Sequence, residues 1–229
     1  MEQILQEGIK PRVEVKEVMR FLGARGRAGS PRLKRKIRSM LSEADVLLEP
    51  RVYARRKKVS TTQQGAVLID RDVPLKSRKV AKTFRNSSTA YVFVATVGEK
   101  VDRKIRDLMK ESSVSDASIL DAIASAAVEK MLDQFQTSVD KELARLNLTS
   151  TIRFSPGYCD WNIKEQHKIF KTIDAGTIGV TLTPSALMHP RKSVSGVFGV
   201  TEAGSTNREA INPCLLCGNK DCNTRRIES

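Results

Sequence analysis

The sequence predicts an α+β domain, with a mixed, mainly antiparallel sheet and long helices packed on it. Three stretches carry that expectation. Ala90 to Gly98 is a continuous apolar run rich in valine and aromatics, as in a strand buried at the centre of a sheet. Ser115 to Leu146 repeats apolar residues at three- and four-residue intervals, the pattern of a long helix with one buried stripe. Residues 52–72 and 193–200 alternate with the two-residue period of strands, and hairpin connections pair such strands antiparallel.

Residues 13–22 mix Val13, Val15, Val18, Met19, Phe21 and Leu22 with charges and stop at Gly23, which suits a short helix closed by glycine. Gly23, Gly26 and Gly29 have a regular spacing, but no strand and helix flank them as a dinucleotide fingerprint requires. Ser30-Pro31 opens the next helix with a capping residue and a first-turn proline. Leu33, Ile37, Met40, Leu41 and Val46 form its apolar stripe. Within 52–72, Gly65 to Asp70 is the clearest strand, so a hairpin is expected, followed by a helical patch from Ser77 to Phe84.

A helix near 99–110 follows the central strand and leads into the long one. There Leu120, Ile123, Ala127, Met131, Phe135, Val139 and Leu143 define the buried stripe, while Asp116 favours the positive end of the helix dipole. Ala122, Ala124, Ser125, Ala126 and Ala127 leave room for a close neighbour. Glu129 and Asp133 lie four residues apart, hence on one face. Ile163 to Ile173 reads as a helix with Ile163, Ile169, Phe170 and Ile173 inward. Ile178 to Thr183 reads as a strand, and Ser193 to Val200 as another, paired hairpin-like with its neighbours.

The densest chemistry lies in Arg153-Phe154-Ser155-Pro156-Gly157-Tyr158-Cys159-Asp160-Trp161, after a short extended segment from Thr151. Pro156 fixes its own φ and pushes Ser155 towards an extended conformation. Gly157 lets the chain turn without a side chain, so another molecule can approach the backbone. An arginine held beside such a turn suits a bidentate grip on a carboxylate. On the residues alone, an ordinary strand-to-helix turn with Trp161 as a core plug fits equally well, and Glu129 and Asp133 also fit a solvated face.

Arg153, Gly157 and Tyr158 form an Arg-x-x-x-Gly-Tyr pattern that resembles the S-adenosylmethionine-binding signature of the activation domain of cobalamin-dependent methionine synthase. Downstream, Leu182-Thr183-Pro184-Ser185-Ala186-Leu187-Met188 and Ser193-Val194-Ser195-Gly196 resemble that family's Leu-Thr-x-Ser-x-x-Met and Ser-Val-Ser-Gly stretches, in the same order. The resemblance spans about residues 90 to 200. It implies a curved sheet and an activation-type domain, expected to stand alone over 1–205 with 1–85 as a basic N-terminal part; residues 206–229 are read beside it as a cysteine-containing tail. It implies that Arg153 pairs with the methionyl carboxylate of S-adenosylmethionine and that Asp133 or Glu129 holds the ammonium group. Ser155, Pro156, Gly157 and Tyr158 would supply backbone and stacking contacts, and Ser193, Val194, Ser195 and Gly196 would line the site. The activity implied is that of a methyltransferase component. A partner's cobalamin that has drifted to Co(II) is reduced by one electron, and the resulting Co(I) takes the methyl carbon from the sulfonium. The protein contributes positioning, and the cobalt chemistry belongs to the corrinoid.

The net charge of +14 is uneven, since residues 1–85 hold 22 Lys+Arg against 9 Asp+Glu while the remainder is nearly balanced. Two runs carry it, Arg32 to Arg38 and Arg51 to Lys58. Such a field suits docking of an acidic corrinoid protein, or of a flavodoxin- or ferredoxin-type reductant, and also fits solvated faces. The apolar runs fall short of the ~20 residues of a membrane span. The start lacks the charged and apolar regions of a signal peptide, so a cytoplasmic protein is expected, with no membrane partner.

Cys214, Cys217 and Cys222 form a Cys-x2-Cys-x4-Cys tail in which two thiolates can reach one metal from a tight knuckle. Zinc or an iron–sulfur cluster would need a further ligand, such as Cys159, a histidine, a second subunit or an external group; reduced thiols are the other reading. The resembled family is not expected to carry this tail. It keeps open an iron–sulfur activator that reduces a corrinoid without S-adenosylmethionine. A nucleic-acid-binding module with a zinc knuckle ranks last, because 5% aromatic residues leave little for base stacking. Neither a His-x-x-x-His pair, a Gly-x-Ser-x-Gly elbow nor a P-loop occurs, which removes the zincin, serine hydrolase and P-loop kinase readings.

Overall fold

A computed structural model describes residues 3–24 and 29–204. In chain order its elements are β1 (Gln3–Glu7), α1 (Val15–Phe21), α2 (Pro31–Ala44), β2 (Arg51–Thr61), β3 (Ala66–Ile69), β4 (Val73–Lys76), α3 (Arg78–Thr83), β5 (Thr89–Thr96), α4 (Glu99–Lys110) and α5 (Val114–Ala144). They continue with β6 (Leu148–Ser150), α6 (Gln166–Thr172), β7 (Thr181–Leu182), β8 (Met188–His189) and β9 (Ser193–Glu202). Seven strands form one sheet in the order β4-β3-β2-β5-β9-β6, with β1 also paired to β2, and every pairing is antiparallel. The α+β expectation holds.

The run at 90–98 lies at the middle of this sheet as β5, flanked by β2 and β9. Its alternate residues feed two cores. Tyr91, Phe93 and Ala95 face α5, while Ala90, Val92 and Val94 meet Trp161, Ile169 and Ile178 on the other face. Phe198 of β9 joins the two strands to the helix, stacking on Tyr91 at 5.1 Å between centroids and meeting Phe135 edge-on at 6.3 Å. The long helix α5 buries its predicted stripe against the sheet, and its alanines admit α1, α2 and α4 on the outer side. Ser30 caps α2 by accepting from the Leu33 N–H at 3.2 Å, as the Ser-Pro start predicted.

Several expectations are corrected. Val46 is 77% exposed, because α2 ends at Ala44 and the chain turns before the stripe reaches it. Ile163 is 44% exposed, because a 3-10 turn over Ile163–Glu165, capped by Asn162, precedes α6. The strand expected over 178–183 shrinks to β7. Asp174 caps a 3-10 turn over Ala175–Ile178, and Gly179 ends that turn at φ 71°. β9 does not form a hairpin with its sequence neighbours; it pairs with β5 and β6, while β7 and β8 pair with each other. The hairpin at 52–72 gains a third strand, β4, and β1 adds an edge that periodicity alone did not suggest.

Candidate functional site

The segment after β6 runs beside β9. Phe154 exchanges two backbone hydrogen bonds with Val197, each 2.9 Å, and Thr151 pairs with Gly199 in the same way through its amide and hydroxyl. Strand alternation then sends neighbouring side chains to opposite sides. Phe154 enters the core with Trp161, and Arg153 reaches α5.

There the guanidinium is held on several sides. Its Nη1 donates to the Leu132 carbonyl at 3.2 Å and to Gln136 Oε1 at 2.9 Å, and its Nη2 donates to Asp133 Oδ1 at 2.6 Å. Glu129 Oε2 stands 3.7 Å from Nη2. The arginine side chain is only 15% exposed, while Asp133 is 49% exposed. Gln136 is buried and fixed in turn, its Nε2 donating to Ser150 Oγ at 2.7 Å and to the Thr151 carbonyl at 2.8 Å. Arg153, Glu129 and Asp133, named from widely separated positions, therefore converge.

The turn beyond Arg153 is closed by its own backbone. The Tyr158 N–H donates to Ser155 O, the Trp161 N–H to Tyr158 O, and the Gly157 N–H to Trp161 O. Pro156 is buried, Gly157 takes φ 94°, and Tyr158 points outward at 56% exposure. Asp160 ties the turn down by accepting from the Ser77 hydroxyl at 2.7 Å and the Arg78 N–H at 2.8 Å. Partial burial alone would raise the Asp160 carboxyl; the hydrogen bonds from Ser77, Lys79 and Arg78 outweigh it and hold the group below its usual 3.8. Gly196 explains how the turn fits against the sheet. A Cβ there would lie 2.3 Å from the Phe154 carbonyl oxygen and 3.0 Å from Ser155 Oγ.

The remaining predicted lining residues have structural partners. Ser193 Oγ lies 2.7 Å from the Pro190 carbonyl and 2.9 Å from Thr96 Oγ1. Ser195 Oγ donates to Gln166 Oε1, and Val194 packs on the α5 side of the sheet. Ser193 is some three residues, or ~10 Å of extended strand, from Gly196. Cys159 is exposed, with φ 55°, whereas Cys214, Cys217 and Cys222 lie outside the described residues. Among the described residues, no group of three His, Cys, Asp or Glu side chains could hold a metal ion.

A family model for the activation domain of vitamin B12 dependent methionine synthase matches residues 80–206, more than half of the chain. The chain belongs to this family. The matched segment holds the activation-domain features named from the sequence: the Arg153 turn, the acidic pair on α5 and β9. The N-terminal third, with its basic runs, lies ahead of it. No curated protein matches the sequence. Among solved structures, the crystal structure of the MetH reactivation domain bound to AdoHcy aligns with a TM-score of 0.62 at 16% identity, covering 90% of this chain and 80% of that one. At that identity the likeness speaks for the fold, and it extends the activation-domain architecture well ahead of residue 80.

Gln136 and the anchoring role of Asp160 are what sequence reasoning passed over. Gln136 carried a signal, since it sits four residues after Leu132 and three before Val139 and therefore lies along a buried stripe. Asp160 carried none, because its partners at Ser77 to Lys79 are some 80 positions earlier. Part of the basic N-terminal charge is taken up internally, Lys57 pairing with Asp70 at 2.7 Å and Lys36 with Asp116. Among the described residues, no helix is long and apolar enough to cross a membrane.

Proposed function

We propose that this activation-family chain binds S-adenosylmethionine at the Arg153 turn and supplies its methyl group to the reduced corrinoid of a partner methyltransferase or corrinoid protein. The observation that carries this reading is the guanidinium of Arg153, fixed on Nη1 by two buried acceptors and turned through Nη2 towards a half-exposed carboxylate. That is the arrangement a site needs to take an amino-acid carboxylate beside a group that takes its ammonium. The bound AdoHcy of the structural neighbour supports it as the same adenosyl amino-acid chemistry after loss of the methyl group.

In this reading Arg153 grips the methionyl carboxylate and Asp133 or Glu129 the ammonium. The Ser155 to Tyr158 turn lets the ligand approach the backbone at Gly157, Tyr158 offers a stacking face, and Gly196 with Val194 shapes the sheet side, whereas Ser193 and Ser195 alternate to the other face of β9 and bond there to Thr96, Pro190 and Gln166. The corrinoid is a substrate carried by the partner: its reduced cobalt accepts the methyl carbon while the carbon–sulfur electron pair stays on sulfur. The protein holds the sulfonium in line, which makes the encounter effectively unimolecular. Residues 1–205 would form this unit, with Arg32, Arg35 and Arg38 on the exposed face of α2 available to an acidic corrinoid protein or a flavodoxin- or ferredoxin-type reductant. The tail over 206–229 would present Cys214, Cys217 and Cys222, with Cys159 as a further ligand, to zinc or an iron–sulfur cluster.

Calorimetric titration with S-adenosylmethionine tests the reading. Saturable one-site binding by the wild type, weakened about 10-fold or more in Arg153→Ala as expected for a charge-assisted pair, supports it. An Arg153→Ala variant with undiminished affinity refutes the carboxylate grip, and a folded wild type that binds nothing refutes the function.

A further inference from the structure

We infer that the Arg153–Asp133 ion pair is a resident stand-in for the charges of the ligand, opens when the ligand enters, and thereby makes the site selective for α-amino-acid zwitterions over plain carboxylates. The inference rests on the binding reading above and adds to it a displacement step and a specificity determinant. The two ends of the guanidinium are held differently. Nη1 is anchored by the Leu132 carbonyl and by Gln136, which is itself buried and fixed by Ser150 and Thr151. Nη2 faces Asp133 Oδ1 at 2.6 Å, and that carboxylate is half exposed on an outer turn of α5. An ion pair with an exposed partner contributes little net stability, so Asp133 can be displaced at small cost while Gln136 keeps the arginine in place.

A ligand carboxylate that takes Nη2 must push Asp133 aside. If the same ligand carries an ammonium on the adjoining carbon, the displaced carboxylate gains a new counter-charge and both pairs are rebuilt. If it carries none, three carboxylates, those of the ligand, Asp133 and Glu129, crowd one guanidinium and Asp133 is left without compensation. Asp133 therefore opposes a carboxylate alone and welcomes the zwitterion, which is discrimination by repulsion as well as by attraction. Asp133 suits the role better than Glu129, which stands farther from Nη2, at 3.7 Å, and is less exposed.

The test is titration of the full chain with S-adenosylhomocysteine and with its deaminated analogue, in which hydrogen replaces the α-amino group. The wild type is expected to favour the amino acid by about tenfold or more, the scale of a charge-assisted hydrogen bond. In Asp133→Asn the ratio should collapse, with the deaminated analogue binding at least as tightly as it does to the wild type, and Asp133→Glu should restore part of the ratio. An Asp133→Asn variant that weakens both ligands equally, or leaves the ratio unchanged, overturns the exchange while leaving the binding reading intact. A wild type that binds neither ligand overturns both.

Discussion

Arg153 and Gln136 meet at 2.9 Å across the boundary between the segment after β6 and α5, and every polar group of the Gln136 amide is used there. Its oxygen accepts from the guanidinium and its nitrogen donates to Ser150 and Thr151. The contact converts a flexible four-torsion side chain into a directed one, and it does so from inside the core, where a lost partner is costly.

Gln136→Leu should therefore act at a distance from the ligand. It leaves Arg153 Nη1 with one acceptor and strips Ser150 and Thr151 of their donor, a loss of about 1–3 kcal/mol in stability. Affinity for S-adenosylmethionine should fall with it, by about tenfold, because the guanidinium loses its orientation. Chemical denaturation and calorimetry on one preparation measure the two effects. Weakened stability with unchanged affinity would show that Gln136 serves the fold alone.

Gly196→Ala should separate the segment around Phe154 from the sheet. Its new methyl would stand 2.3 Å from the Phe154 carbonyl oxygen and 2.7 Å from the Phe93 ring, so segment and ring must both move. Overpacking of this kind costs about 1–3 kcal/mol. Loss of exchange protection at the Phe154 and Val197 amides would locate the damage, whereas an unshifted denaturation midpoint would contradict it.

Asp160 makes stability depend on pH. Its folded-state pKa is held below its usual 3.8, so the unfolded chain binds more protons as the solution is acidified. The stabilisation is present above the unfolded value and is lost as pH falls through the folded one. Asp160→Asn should thus be less stable than the wild type at neutral pH, with the two thermal midpoints converging in acid. A gap that stayed constant from pH 7 to pH 3 would speak against the carboxylate as its source.

Ile163 and Ile169 separate the sequence reading of this helix from the structural one. Both were expected inward, yet Ile163 is 44% exposed and Ile169 is buried in the core under β5. Ile169→Ala should cost about 2–5 kcal/mol and Ile163→Ala under about 1 kcal/mol, measured by denaturant unfolding. Equal losses would mean that the helix is phased as the sequence suggested.

Local pattern alone determined a large part of this protein. The apolar run at β5, the stripe of α5 and the Ser30-Pro31 start are statements about neighbours a few residues apart, and burial and capping follow from them directly. The Arg-x-x-x-Gly-Tyr turn and the two later motifs likewise lie within short stretches, and they led to the family. Tertiary structure decided the rest, because strand partners and ion pairs are chosen by surfaces that are distant in sequence. β9 pairs with β5 and β6, not with the strands beside it in the chain. Asp160 finds Ser77, and Gly196 makes room for Phe154. The same holds at the site. Asp133 and Arg153 were each legible as charged groups suited to an amino acid, but that they bind each other was not, since it depends on α5 and the segment after β6 meeting with Gln136 between them.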